Sequence, residues 1–182
     1  MKESLHIVGI CGSIRKESYN RMLLNHAKKY LPAGTKYTEA DITSVPYYNQ
    51  DMESNLPQSV LDAAALIQSA DGVIISTPEY NYSFPGVVKN YMEWLSRPAT
   101  GRVFAGKPVA LLGASTGNFG PARGHMQLRQ VLFSMEAQAV MRPEVYVSGA
   151  ASKFDDHGQL IDPAAQDFVQ TLIKNFLSNI QA

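Results

Sequence analysis

One cysteine, Cys11, stands alone in 182 residues, so no intrachain disulfide can form and stability must come from burial, as expected of a protein kept in a reducing compartment. No charge of either sign dominates: Lys+Arg and Asp+Glu are both 16, which removes the basic surface a nucleic acid would need and the acidic surface that docks a basic partner. Long hydrophobic runs are missing too. The first apolar stretch, Leu5 to Cys11, is far too short to span a bilayer, and Met1 to Ser4 runs into it with no small-residue cleavage site beyond. A cytoplasmic protein with no membrane and no nucleic-acid partner is expected. The histidines His6, His26, His125 and His157 have no metal-ligand spacing, so no metal site is expected. Neither G-x-G-x-x-G nor Gly-Lys-Ser/Thr occurs, which argues against a Rossmann dinucleotide turn and a nucleoside-triphosphate loop. Internal repeats and low-complexity tracts are absent.

What is present is a chain with a 45% hydrophobic and 18% charged composition, typical of a globular protein, and its length suits one domain over residues 1–182. Leu5 to Cys11 reads as a strand buried on both faces, ending at Gly12. Ser18 to Leu31 reads as a helix, with Ser18 placed to cap it and Pro32-Ala33-Gly34 to stop it. Thr35 to Asp41 gives an edge strand, and a helix opens after Pro57. Further strands are expected at Gly72 to Thr77, Val109 to Ala114 and Val140 to Val147, and helices at Val87 to Ser96, Ala122 to Ala137 and after Pro163. Strands alternating with helices require crossover connections, hence a mostly parallel, doubly wound sheet of order 2-1-3-4-5 with helices on both faces.

In such a sheet the ligand lies beyond the carboxyl ends of the strands where strand order reverses, which selects the loops after strands one, three and four. The first, Gly12 to Asn20, brings hydroxyls, an amide, the Arg15 guanidinium and free helix N-terminal N–H groups into one short arc that suits a phosphate monoester. A plain capped helix would use the same Ser18. The second, Pro78-Glu79-Tyr80-Asn81-Tyr82, combines main-chain polar groups with aromatic walls fit for a planar ring, with Tyr80 or Tyr82 as the wall; loop packing would employ the same tyrosines. The third, Ser115 to Gly120, follows a central strand, and Gly117 permits close backbone approach; a simple tight turn has the same composition. Cys11 reads as a buried strand residue.

Gly12-Ser13-x-Arg15-x-x-Ser18-x-Asn20 together with Pro78-Glu79-Tyr80-Asn81-Tyr82-Ser83-x-Pro85-Gly86-x-x-Lys89-Asn90 resembles the NADPH-dependent FMN reductase family over nearly the whole chain. Gly106-Lys107-Pro108-Val109-Ala110 and Leu128-Arg129-Gln130 are most similar to its bacterial chromate and quinone reductase branch. The resemblance implies a flavodoxin-like three-layer sandwich with a five-stranded parallel sheet. It implies that Ser13, Arg15, Ser18 and Asn20, with Tyr19 in the same arc, hold the FMN phosphate. Pro78, Glu79, Tyr80 and Asn81 would follow the ribityl chain and ring, with Ser115 and Gly117 near the ring. The activity implied is ping-pong hydride transfer from NADPH or NADH to FMN and on to quinone, free flavin, azo dye or chromate, with no catalytic acid or base assigned. A flavodoxin-like electron carrier and a non-catalytic nucleotide-binding module are the competing readings; direct reduction by NADPH excludes the first, and bound FMN the second.

The helix from Val87 to Ser96 is apolar around most of its circumference, and the next leaves Met126 and Phe133 off its core face. Both features fit a homodimer through these two helices, or a deeper core within one chain. The resemblance adds a homotetramer, with Arg123 and Glu144 similar to its polar contacts.

Overall fold

The computed structural model describes residues 4–181; Met1 to Glu3, part of the segment read for an export signal, and Ala182 lie outside the described residues. Six strands form one parallel sheet: β1 (His6–Cys11), β2 (Lys36–Glu39), β3 (Gly72–Ser76), β4 (Pro108–Ala114), β5 (Gln138–Ala139) and β6 (Val145–Val147). Their order is β2-β1-β3-β4-β5, with β6 also paired to β4. β1 runs beside β2 and β3, with Val8 opposite both Thr38 and Val73, and Val73 faces Val109 across the next ladder. Reversal of strand order therefore falls between β1 and β3, as the sequence pattern predicts.

Five helices cover the sheet: α1 (Tyr19–Lys28), α2 (Gln58–Ser69), α3 (Gly86–Leu95), α4 (Ala122–Ser134) and α5 (Pro163–Gln181). Side chains along a strand alternate between faces, and the two cores obey that period. Val8, Ile10, Val73, Ile75, Val109 and Leu111 pack with α2, α3 and α4, while Ile7, Ile74, Ala110 and Leu112 pack with α1 and α5. The strands read as continuous apolar runs because helices cover both faces. No helix among the described residues is long and apolar enough to cross a membrane.

Two expectations need correction. Of the strand read over Val140 to Val147 only its end, β6, is strand, and a separate two-residue strand, β5, precedes the span. Pro143 stands between them and carries no N–H to donate to a ladder, so apolar content alone overestimates the pairing there. The second concerns α3, whose surplus of apolar faces suggested a subunit contact. Val88, Tyr91, Met92, Trp94 and Leu95 are all buried within this chain. The β2–α2 connection lies on α3: Asn90 accepts from the Tyr48 N–H (2.7 Å) and donates to the Pro46 carbonyl (2.9 Å), which also takes the Trp94 indole N–H (2.8 Å). Phe104 joins the same core. The deeper single-chain core accounts for α3, whereas Met126 and Phe133 on α4 are 63% and 84% exposed.

Candidate functional site

The loop after β1 is held at its root and open at its tip. The Gly12 N–H donates to Ser76 O (2.8 Å), drawing the loop onto the end of β3. A Cβ at Gly12 would sit 2.2 Å from Thr77 Oγ1, so this approach is closed to larger residues. Ser13 is buried, and its hydroxyl accepts from the Arg15 N–H (3.4 Å). Ser18 is the N-cap of α1, its oxygen accepting from the N–H groups of Asn20 (3.2 Å) and Arg21 (3.4 Å). The capped-helix reading is thus correct as far as it goes, with Ser18 itself buried and its hydroxyl facing the Cys11 thiol. Among the described residues, the N–H groups of Glu17 and Tyr19 find no acceptor. Arg15 reaches the Glu17 carbonyl and lies 5.3 Å above the Tyr19 ring, whose other neighbour is Phe154 at 5.5 Å. A hydroxyl, uncommitted helix-start N–H groups and a solvent-facing guanidinium form the donor set that a phosphate dianion requires, and the residues fit FMN at its phosphate end.

Asn20 joins the three loops chosen from sequence. Buried to 3% exposure, it donates from Nδ2 to Ala114 O (2.9 Å), while Oδ1 accepts from Ala114 N–H (2.9 Å) and from the Ser76 hydroxyl (3.2 Å). One side chain on α1 therefore ties the ends of β3 and β4 together. Its polar capacity is turned inward, so Asn20 places the phosphate arc rather than presenting donors from it.

The segment after β3 rests on α4. Tyr80 and Ser83 exchange both main-chain hydrogen bonds (2.8 and 3.0 Å) around Asn81 (φ 49) and Tyr82 (φ 68), a two-residue turn of mirror-image type. Glu79, with 5% of its side chain exposed, accepts from the N–H groups of Arg123 (2.9 Å) and Gly124 (3.0 Å) in the first turn of α4 and pairs with the Arg123 guanidinium (2.5 Å). Burial pushes its carboxyl upward, but the Gly124 N–H and Arg123 together outweigh that and hold it below its ordinary value. Glu79 thus shapes the loop from beneath, capping a helix whose N-cap Pro121 offers no side-chain cap. His125, fully buried, is within 3.2 Å of Thr77 O through Nε2. Burial lowers its pKa to about 4 against a smaller upward pull from that carbonyl, so it is neutral near pH 7. Pro78 is buried, Tyr80 is half exposed and Asn81 lies at the exposed turn.

The loop after β4 is a turn and more. Ser115 N–H donates to Val147 O (2.9 Å), Ser115 Oγ accepts from Gly117 N–H (3.2 Å), and Gly117 O accepts from Gly120 and Gly149. Gly117 itself is exposed, leaving its surface open beside the other two loops. Sequence reading missed the support beneath them. In the sequence His125 is one of four scattered histidines, Gln127 belongs to no motif, and Arg123 resembles a subunit contact; each acts across more than 40 positions, with no local signal to find it.

Comparison with known proteins identifies the family. Residues 5–152 match the model of the family described as NADPH-dependent FMN reductase. The chain is 41% identical to the NAD(P)H-dependent FMN reductase of Pseudomonas aeruginosa over 93% of its own length and 92% of the relative's. Against the quinone reductase of Escherichia coli strain K12 the identity is 37%, over 100% and 98% of the two chains. Among solved structures, the flavoenzyme FerB, an NAD(P)H:(acceptor) oxidoreductase from Paracoccus denitrificans, superposes with a TM-score of 0.88 at 30% identity, covering 97% of each chain. With two whole-length relatives and the family's pattern laid over the three converging loops, this chain belongs to the NADPH-dependent FMN reductase family.

Proposed function

We propose that the protein is an FMN-dependent NAD(P)H oxidoreductase whose acceptors are small molecules of the quinone class, and that its flavin site is the junction of the three loops. The observation that carries this reading is Asn20, which binds the starts of two of those loops to the helix in which the first loop ends. When bound, FMN supplies the hydride-accepting and electron-donating ring; the chain supplies grip, orientation and shelter. Ser13, Arg15 and Ser18, with the N–H groups of Glu17 and Tyr19, hold the phosphate. Pro78, Tyr80 and Asn81 line the ribityl and ring side, and Ser115 and Gly117 approach from the far loop. Glu79 and Asn20 act one step behind, fixing the loops. No side chain is required as acid or base.

A cavity of about 590 Å³ adjoins the phosphate loop, with Ile14, Val45, Tyr47 and Val87 in its lining, and its largely apolar character suits an aromatic acceptor. Tyr47, 88% exposed, sits on backbone already fixed by Asn90 and Trp94, so a contact there requires little new ordering. Relatives named NAD(P)H-dependent FMN reductase and quinone reductase support the donor and acceptor classes. Self-association through the α4 face around Met126 and Phe133 belongs to the same reading, as does a cytoplasmic location, for which the lone buried Cys11 is the support. The Glu144 carboxylate already meets Arg142 (3.1 Å) and the Tyr146 hydroxyl (2.9 Å) in its own chain, which favours a dimer over a tetramer built on polar contacts.

Anaerobic titration tests the function. FMN-loaded protein is expected to lose its yellow absorbance on adding NADPH or NADH and to regain it with a benzoquinone. Flavin that bleaches only in the presence of a second, partner reductase would establish an electron carrier instead, and protein that ignores FMN would establish neither.

A further inference from the structure

The turn at Asn81-Tyr82 poses a physical question that flavin binding alone does not answer. A two-residue mirror-image turn favours Asn or Gly at both central positions, and a bulky residue at positive φ is strained. Asn81 satisfies the first position, but Tyr82 (φ 68) occupies the second. Something outside the turn must hold it.

The restraint is Arg123, at the start of α4. Its guanidinium carbon lies 3.8 Å from the Tyr82 ring centroid, close enough for face-on stacking, and 5.3 Å from the ring of Phe119 in the loop after β4. Its Nη2 is held by Glu79, in the segment leading into the turn. Gln127, one helical turn on, donates to Tyr82 O (2.9 Å) and accepts from the Ser83 hydroxyl (2.6 Å). Between them, Gly124 lets the helix close on the loop: a Cβ there would come within 3.0 Å of the Ser83 carbonyl carbon. Tyr82 and Phe119 are 67% and 74% exposed, so their rings are not core; their shared neighbour is the planar cation between them.

We infer that Arg123 is a positioning residue: by stacking between Tyr82 and Phe119 while tethered to Glu79, it sets the separation of the two loops that flank the flavin ring and holds the strained turn in its binding-ready form. This rests on the proposed flavin site. It differs from a subunit-contact role for Arg123, because all the partners named here lie in one chain. The partners of Arg123 are Glu79, Tyr82 and Phe119, so it acts through the loops. Removing the stack frees the Tyr82 ring and leaves only the Gln127 hydrogen bonds to Tyr82 O and the Ser83 hydroxyl on the turn, which then relaxes away from the flavin. Glycine at 82 adopts φ > 0 without strain and so makes the restraint unnecessary.

The experiment titrates FMN into cofactor-free protein by flavin fluorescence quenching and follows amide exchange at Ser83, whose N–H closes the turn. Arg123→Met is expected to weaken FMN binding about tenfold and to speed Ser83 exchange. Arg123→Lys, which keeps the charge but not the planar stack, is expected to restore less than half of that loss. Arg123→Met combined with Tyr82→Gly is expected to recover at least half. Should Arg123→Met fail to fold, the comparison moves to single variants: Tyr82→Ala, strained and unstacked, must bind FMN more weakly than Tyr82→Gly. Wild-type affinity in Arg123→Met, no recovery in the double variant, or equal affinities for Tyr82→Ala and Tyr82→Gly would each overturn the inference while leaving the flavin site standing. Wild-type protein that binds no FMN overturns the site itself.

Discussion

Asn20 shows how much one amide can organise. Asn20→Ala would leave Ala114 N–H, Ala114 O and the Ser76 hydroxyl without their buried partner, at a cost of about 2–4 kcal/mol. Urea unfolding of the cofactor-free variant should show that loss, with weaker FMN binding beside it; unchanged stability would mean the three bonds contribute nothing net. His125 gives a pH dependence with a definite sign. Its pKa falls from 6.5 to about 4 on folding, so between those values the unfolded chain binds the proton that the native chain refuses. Its stabilising contribution is complete above pH 6.5, declines as the pH falls toward 4 and is then exhausted, amounting to about 3 kcal/mol at most. Thermal melts of wild type and His125→Gln across that window should converge toward the acid end. The clustering of donor types in the loop after β1 was readable in advance, since Ser13, Arg15 and Ser18 stand in one short arc after a strand. That Asn20 and Glu79 turn their polar atoms inward was not, because their partners lie 94 and 44 positions away.

Strands and helices were recovered wherever burial on both faces gave a continuous apolar run or a helical stripe. The bounds of the last strand and the short β5 before it were not, because a proline within an apolar stretch alters hydrogen bonding without altering hydrophobicity. The faces of α3 misled for a related reason: periodicity reports that a surface is apolar but not whether a loop of the same chain covers it. The close packing of β4 under the site supplies a sharper test of these elements. A Cβ at Gly113 would lie 2.2 Å from the Thr77 carbonyl oxygen and 2.6 Å from His125 Nε2, and main chain cannot step aside as a flexible side chain can. Gly113→Ala should therefore lower stability by about 1–3 kcal/mol and weaken FMN binding through displacement of Thr77. Calorimetry on the variant decides it; a melting temperature equal to wild type would show that the β3–β4 junction is softer than described.

At the scale of the whole molecule, we propose that self-association covers the exposed Met126 and Phe133 on α4. Sedimentation should find a dimer for the wild type and a shift toward monomer for Phe133→Glu; a wild-type monomer at micromolar concentration contradicts that surface. The larger claim is that a sheet with reversed strand order, three loops pinned by one asparagine and a helix start left with free donors together make an FMN site. Its most direct test is the FMN dissociation constant of the wild type against the Ser13→Ala/Arg15→Ala double variant, measured by fluorescence quenching at fixed ionic strength. Tight binding is expected for the wild type and a loss of about a hundredfold in the variant, from a charge-assisted and a neutral hydrogen bond removed together. Equal affinities for the two proteins would place the phosphate elsewhere and contradict the claim.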